Sequence, residues 1–192
     1  LWRESLAAMS GTLNSTILLT ERLLQLATIK RKEQGEQAFP PVDLQEIVRH
    51  SCFSRLQQAR SKAIDLGYEG EPSMVTIAGD GVLLSELCAN LLDNAIRYTP
   101  QGGIVTVSLH RDGEAVLLDV EDSGPGIDDA QIQQALMPFH RLENVGDNPG
   151  AGLGLALVSD IARLHRSHPQ LLRSETLGGL KVRLRFLRAF SE

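Results

Sequence analysis

Apolar residues recur at helical spacing in four parts of the chain, and short alternating runs lie between them. The first part, residues 1–32, contains no proline, and its Leu and Ile residues follow mainly seven- and four-residue steps, which favours a helix packed in a bundle. An ordinary core helix is the alternative interpretation. Asp43, followed by Glu46, predicts the start of a second helix that extends to about Ala63.

The middle and the end of the chain combine two further helices with short strands. The helices are predicted at about Gly81 to Tyr98 and Leu153 to His165. Residues 123–152 are predicted to be mostly loop. The predicted strands cover residues 64–69, 74–78, 104–110, 115–121, 170–174 and 180–186.

A polar, charged stretch separates the first helix from the rest. Residues 30–37, Lys-Arg-Lys-Glu-Gln-Gly-Glu-Gln, are polar and charged, and the Pro40-Pro41 pair cannot continue a helix. We therefore divide the chain into a helix at 1–33, a linker at 34–41 and a domain at 42–192.

The charge balance excludes one class of partner. The 192 residues include 19 Lys and Arg against 24 Asp and Glu, a net charge of −5, which offers no basic surface for nucleic acid. The apolar runs are shorter than the roughly 20 residues of a membrane span, so we expect a soluble piece. Cys52 and Cys88 lack metal-ligand spacing and indicate inert thiols in a reducing compartment. The chain begins at Leu1 without an initiator Met, and we expect a fragment of a longer protein.

A polar stripe runs along the helix predicted at 81–98. Glu86, Asn90 and Asn94 recur every four residues and therefore share one side of the helix, beside a run of leucines. Asn is a poor helix former because its amide competes for backbone hydrogen bonds, so two of them in one stripe suggest a bound ligand. Amides that merely face solvent are the alternative.

A first glycine-rich segment follows a predicted strand. It contains Asp122, Gly124, Gly126 and Ile127. A carboxylate at a strand end can accept a hydrogen bond from an exocyclic amine, and the glycines let the backbone approach a flat ligand. A tight turn capped by Asp122 is the alternative.

A second glycine cluster opens directly into a predicted helix. It contains Gly150, Gly152, Leu153, Gly154 and Leu155. The backbone N–H groups and the positive end of the helix dipole would make an anion site suited to phosphates. The cluster lacks the Gly-Lys-Ser/Thr ending of a P-loop, and no strand precedes it, so neither the P-loop nor the dinucleotide motif fits.

Together these segments resemble the ATP-binding boxes of sensor histidine kinases. The resemblance implies a two-layer α/β sandwich, in which helices cover a mixed sheet and ATP is held under a mobile lid. Residues 1–32 resemble the second helix of the family's dimerisation and phosphotransfer domain, so a long N-terminal helix precedes the sandwich. The matching boxes are Asn90-Leu-Leu-Asp-Asn94-Ala, Asp122-x-Gly124-x-Gly126, Pro138-Phe139-x-Arg141 and Gly150-x-Gly152-Leu153-Gly154-Leu155, with Gly178-Gly179 resembling the final glycine box.

The resemblance also implies a role for each matching residue, with ATP and Mg²⁺ as cofactors. Asn90 would be the Mg²⁺ ligand, and Arg141 would neutralise the γ-phosphate during transfer. Arg97 would lie near the phosphates, or be a surface charge, and Tyr98 would pack on the adenine, or be a core aromatic. Asp122 would accept the adenine amine. The full set of implied nucleotide-binding residues is Glu86, Asn94, Arg97, Tyr98, Asp122, Gly124, Gly126, Ile127, Gly150, Gly152, Leu153, Gly154 and Leu155.

Two features depart from the family pattern. The family phosphorylates a His followed by an acidic residue, and none of the five histidines has that context, so we expect this chain to bind Mg-ATP without phosphorylating itself. The lid is short, with only residues 143–149 between the Phe139 box and the second glycine cluster.

The resemblance further implies the partners of the whole protein. They are a His-bearing dimerisation helix of the same kinase and a response-regulator receiver domain, on the cytoplasmic side of an inner-membrane sensor. The full-length protein would be a homodimer, whereas this chain alone could be a monomer.

Rival functions exist within the same nucleotide fold. ATPases of the gyrase, Hsp90 and mismatch-repair type carry a Glu at the place of Asn90, where it activates water, and an amide cannot act as that base. A non-catalytic nucleotide sensor and a Ser-phosphorylating anti-sigma kinase are two further rivals. The bundle-type first helix argues against the anti-sigma form.

Overall fold

The computed structural model describes residues 39–138, 140 and 152–189. The helix predicted at 1–32 and most of the linker lie outside this part of the chain. Pro41, the last residue of the expected linker, already begins a strand, β1 (Pro41–Asp43), which leads directly into α1 (Leu44–Ser61). The Asp43 carboxylate accepts hydrogen bonds from the N–H groups of Gln45 and Glu46, at 3.0 and 3.3 Å, and so caps α1 as predicted.

The remaining elements follow the predicted order. The predicted helices at 43–63, 81–98 and 153–165 and all six predicted strands are confirmed, with each end within two residues of its expected place. The strand β1, a single 3-10 turn (Asp129–Gln131) and the short helix α3 (Ile132–Ala135) were not predicted. The other elements are β2 (Asp65–Glu69), β3 (Thr76–Ala78), α2 (Gly81–Tyr98), β4 (Ile104–Asp112), β5 (Ala115–Asp122), α4 (Gly154–Leu164), β6 (Gln170–Arg173) and β7 (Leu180–Leu187).

Five strands form one mixed sheet in the order β2-β4-β5-β7-β6. The β2–β4 pair is parallel, and the other three pairs are antiparallel. β1 and β3 form a separate two-stranded antiparallel sheet, which is attached to the end of β7 by a bridge between Ile77 and Arg188.

The core lies between the five-stranded sheet and a layer of helices. Alternate residues of β4 and β7 point inward, among them Val105, Val107 and Phe186, which are all buried. α2 is the central helix of the layer, since it packs against both α1 and α4. It contributes more buried residues than any other described helix, including Leu84 and Leu87.

The predicted fold class is therefore confirmed, because a mixed sheet is covered on one face by helices. Within the described ranges, none of the helices has the length and apolarity needed to span a bilayer.

Candidate functional site

The polar stripe of α2 lies beside the buried face of that helix. Asn90 is almost fully buried, and Glu86 and Asn94 are half-buried. The Asn90 side-chain amide donates to the main-chain carbonyl of Glu86 at 2.8 Å. This bond uses the nitrogen end of the amide, whereas a cation would be coordinated by the oxygen end. The Glu86 carboxylate has no role assigned by this geometry, and its place in the site stays a prediction.

Asn94 meets the start of α4. A Cβ added at Gly154 would lie 2.9 Å from Asn94 Nδ2 and 3.0 Å from Oδ1, so a side chain at this position would displace the Asn94 amide. Leu153, at the N-cap position, makes no side-chain cap to the first N–H groups of α4, and Gly152 adopts a φ of 67°. The structure thus brings the predicted polar stripe and the second glycine cluster together, at the positive end of a helix.

The first glycine segment forms a buried turn at the end of β5. Asp122 is 5% exposed, and its Oδ1 atom accepts hydrogen bonds from the N–H groups of Gly124 (2.8 Å) and Leu180 (3.2 Å). Burial raises the pKa of the Asp122 carboxyl, and the two N–H donors offset only part of that effect. The interpretation of Asp122 as the cap of a tight turn is therefore correct for its Oδ1 atom. The charge of the Asp122 carboxylate nevertheless lies where water reaches it poorly.

Glycines allow three main-chain segments to converge at this turn. A Cβ added at Gly124 would lie 2.9 Å from the carbonyl oxygen of Tyr98, at the end of α2. A Cβ at Gly179 would overlap the Asp122 carbonyl, and Gly126, with a φ of 76°, lies against Gly179. The predicted boxes of Tyr98, Asp122 and Gly178-Gly179 therefore meet at one end of the site.

The structure does not test every predicted residue. Phe139, Arg141, Gly150 and residues 143–149 of the lid lie outside the described residues. Arg97, Tyr98, Ile127 and Leu155 are half-buried, and their roles toward a ligand stay predictions.

Two contacts that support the site were not predicted. The Lys62 ammonium donates to three main-chain carbonyls at the C-terminal end of α2. His165, at the end of α4, donates from Nδ1 to the Ile161 carbonyl at 2.7 Å and accepts at Nε2 from the Asp80 N–H, which precedes α2, at 2.9 Å. The Phe39 ring stacks on His165 with a centroid distance of 5.0 Å. The sequence shows a Lys and a His at helix ends, without any sign of these distant partners.

The opposite face of the sheet carries a separate, charged groove of about 490 Å³. Four of its charged residues form ion pairs: Arg183 donates twice to Asp119, at 2.8 and 2.7 Å, and Lys181 contacts both Asp119 and Glu121 at 3.0 Å. Burial alone would raise the pKa of Asp119, but the hydrogen bonds from Arg183 and Lys181 hold that pKa below its ordinary value.

The fold and the converging boxes define a nucleotide-binding α/β domain, and the family match agrees. Residues 79–189 match the histidine kinase-, DNA gyrase B- and HSP90-like ATPase family. The match covers 111 of the 192 residues, so the chain belongs to this family.

Individual relatives narrow the class. Sensor protein CreC of Escherichia coli K12 is 35% identical over 173 residues, which make up 90% of this chain and 35% of CreC. Sensor protein CutS of Streptomyces coelicolor is 33% identical over 171 residues, 87% of this chain and 40% of CutS. The chain is therefore a sensor histidine kinase ATP-binding domain, as the resemblance implied, and it spans little more than a third of these two relatives.

Solved structures support the same fold. The mycobacterial sensor histidine kinase MprB aligns with a TM-score of 0.67 at 27% identity, over 78% of this chain and 97% of that one. Full-length ShkA in complex with AMPPNP aligns with a TM-score of 0.79 at 23% identity, over 98% of this chain and 39% of ShkA. At that identity the ShkA likeness concerns the fold alone.

Proposed function

We propose that this chain binds Mg-ATP between α2 and α4 and donates its γ-phosphoryl group to a histidine on another segment of the same kinase. The observation that carries the proposal is the contact of the Asn94 amide with Gly154, at the N-terminal end of α4. Anions favour that end of a helix, and the glycine there lets the Asn94 side-chain amide lie beside the first turn of α4. Asp122 belongs to the turn that packs against Tyr98, at the C-terminal end of α2, and would accept the adenine amine.

The buried amide of Asn90 fits a magnesium ligand. An amide oxygen is a hard, neutral donor, and Mg²⁺ uses one or two protein oxygens together with waters and phosphate oxygens. The hydrogen bond from Asn90 Nδ2 to the Glu86 carbonyl orients the amide before any ion arrives. The bound ion would neutralise charge on the phosphates, and Arg141 and the Gly150 segment would cover them from the lid.

The same residue favours a kinase over a hydrolase. An amide cannot take a proton from water, so Asn90 would hold the nucleotide without promoting its hydrolysis. The γ-phosphoryl group would then remain available for an imidazole presented by another segment.

The rest of the whole protein would supply the acceptor. We assign residues 1–33 to the second helix of the dimerisation domain, 34–41 to the linker and 42–192 to the catalytic domain. The whole kinase would be a homodimer on the cytoplasmic side of a membrane, and it would pass phosphate to a response-regulator receiver domain.

A transfer assay tests the proposal. This chain is mixed with a separate helical dimerisation domain that carries a His followed by an acidic residue, in the presence of Mg²⁺ and ATP labelled at the γ-phosphate. We expect acid-labile, base-stable label on the added domain and none on this chain. Asn90→Ala should lower both ATP binding and transfer by at least about tenfold, since it removes a charge-assisted contact.

The matched control is Gln57→Ala, which truncates an exposed amide on α1 and should leave both quantities unchanged. Label retained on this chain would contradict the absence of an acceptor. Rapid release of free phosphate without transfer would favour the hydrolase instead.

A further inference from the structure

Lys62 follows the last turn of α1 and directs its ammonium group at the C-terminal end of α2. It donates hydrogen bonds to the carbonyl oxygens of Ile96 (2.8 Å), Arg97 (2.9 Å) and Thr99 (2.7 Å). An ammonium group has three N–H donors, so this geometry uses all of them. In the described part of the chain, Lys62 takes part in none of the ion pairs.

These bonds satisfy groups that a helix leaves unpaired. The last four carbonyls of a helix have no partner within it, and the negative end of the helix dipole attracts a cation. Thr99 is 1% exposed, so its carbonyl lies in a place that water reaches poorly. Burial lowers the pKa of Lys62, because the ammonium is partly removed from water where it makes these contacts.

The main chain of Lys62 holds the turn that follows α2. Its carbonyl accepts from the Gly102 N–H at 3.0 Å, and Gly102 adopts a φ of 77°. The neighbouring Gly103 carbonyl accepts from the Asp65 N–H at 2.9 Å. Side chain and main chain of one residue therefore fix both sides of the turn at residues 99–103.

The carbonyls bound by Lys62 flank Tyr98, which leads to the adenine end of the site. The Tyr98 carbonyl lies against Gly124, where an added Cβ would approach it to 2.9 Å, and the Gly124 N–H donates to Asp122 at 2.8 Å. We propose that Lys62 is a positioning residue, which holds Tyr98 against the Asp122 turn and thereby sets how strictly the site selects adenine. The inference rests on the proposed function, because it takes Asp122 as the acceptor of the adenine amine.

The test compares two nucleotides that differ at that amine. Inosine triphosphate carries a carbonyl oxygen where ATP carries the amine, so the ratio of its Kd to that of ATP measures adenine selection. Lys62→Met keeps the unbranched stem and removes the ammonium. We expect the ratio, measured by isothermal titration calorimetry with Mg²⁺, to fall about fivefold, the equivalent of one hydrogen bond.

Arg111→Met is the matched control. Arg111 also donates to a main-chain carbonyl, that of Met74 at 2.9 Å, but it lies near the opposite end of β4 from the Asp122 turn. The Arg111→Met variant should leave the ratio of the two Kd values unchanged even if it lowers the free energy of unfolding. A purely structural loss reduces the fraction of folded molecules and the number of binding sites, not the ratio among the sites that remain.

The outcomes separate the two proposals. A folded Lys62→Met variant with an unchanged ratio overturns the role of Lys62 while the proposed function stands. If that variant does not fold, Lys62→Gln, which loses the charge and one of the three N–H donors, should also lower the ratio, and an unchanged ratio would overturn the role of Lys62. If the wild-type chain binds neither nucleotide, or does not prefer ATP, the adenine assignment of Asp122 fails, and the role of Lys62 fails with it.

Discussion

Two buried aspartates on β5 should respond in opposite directions to the same substitution. Asp119 is 1% exposed and Asp122 is 5% exposed, and they lie three residues apart on opposite faces of the sheet. Asp119 contacts two cations, whereas among the described residues Asp122 accepts only from main-chain N–H groups. The pKa of Asp119 is lowered and that of Asp122 is raised.

Asp122→Asn should stabilise the fold and weaken ATP binding. The asparagine Oδ1 can still accept from the Gly124 and Leu180 N–H groups, so the substitution removes the buried charge and keeps both bonds. The new amide N–H group would face the adenine amine, and two donors would meet. Loss of a hydrogen bond to a charged acceptor costs roughly 1.5–3 kcal/mol, so we expect the Kd for ATP to rise by at least about tenfold.

The pH dependence gives the sign of the stability effect. Because the folded pKa of Asp122 lies above its unfolded value of about 3.9, the native state holds this proton more tightly. Its contribution to stability is fully present below the unfolded pKa and is lost as pH rises through the folded pKa. Asp122→Asn does not titrate, so its advantage over the wild type should grow from about pH 4 upward.

Asp119→Asn should instead destabilise the fold. It leaves Arg183 and Lys181 without their shared carboxylate, and their side chains are 30% and 20% exposed, so water compensates in part. We expect the free energy of unfolding at neutral pH to fall by roughly 1–3 kcal/mol. Since the folded pKa of Asp119 is lowered, this contribution is present above the unfolded pKa and is lost as pH falls through the folded value.

Urea unfolding of the wild type and both variants between pH 3 and pH 8 tests the pair, and titration with Mg-ATP at neutral pH measures binding. The reasoning is refuted if Asp122→Asn loses stability at neutral pH, or if the two variants change stability in the same direction. Unchanged ATP binding by Asp122→Asn would remove Asp122 from the adenine site.

Two further predictions concern the helices that border the site. Gly154→Ala should weaken ATP binding by roughly tenfold with the fold intact, because its methyl group would press on the Asn94 amide. The control is Gly67→Ala, whose methyl group would meet its nearest neighbour at 3.9 Å, and this variant should bind ATP normally. His165→Leu should lower the free energy of unfolding in urea by roughly 2–3 kcal/mol, since it removes the acceptor for Asp80 N–H and the donor to the Ile161 carbonyl. A loss no larger than that of Phe39→Ala would mean that stacking alone accounts for the His165 contribution.

The bounds of α2 can be predicted from the sequence because local chemistry fixes both ends. The Asp80 carboxylate accepts from the N–H groups of Val82 and Leu83, and Pro100 disfavours helical backbone at Thr99. β1 and α3 are three and four residues long, too short for any period to repeat. Their existence depends on tertiary contacts, such as the pairing of β1 with β3.

The candidate site also has one part that the sequence predicts and one part that only the folded chain shows. Asn94 and Gly154 are predicted as parts of separate motifs, yet their contact comes only from the packing of α2 on α4. Lys62 binds carbonyls 34 to 37 residues away, and Arg183 binds a carboxylate 64 residues away. One residue at a helix end, or a charge in a strand, is an ordinary sequence feature, and only the folded chain shows which partner it has.

The stacking of Phe39 on His165 determines where this domain can be cut and joined to another. Phe39 precedes β1, and its ring lies on the imidazole that links the end of α4 to the start of α2. A chimeric sensor joined upstream of Phe39 would keep the stacking of Phe39 on His165 and the pairing of β1 with β3. A junction placed after Asp43 would remove both contacts. The donor domain would then be joined directly to α1, which would have lost its Asp43 cap.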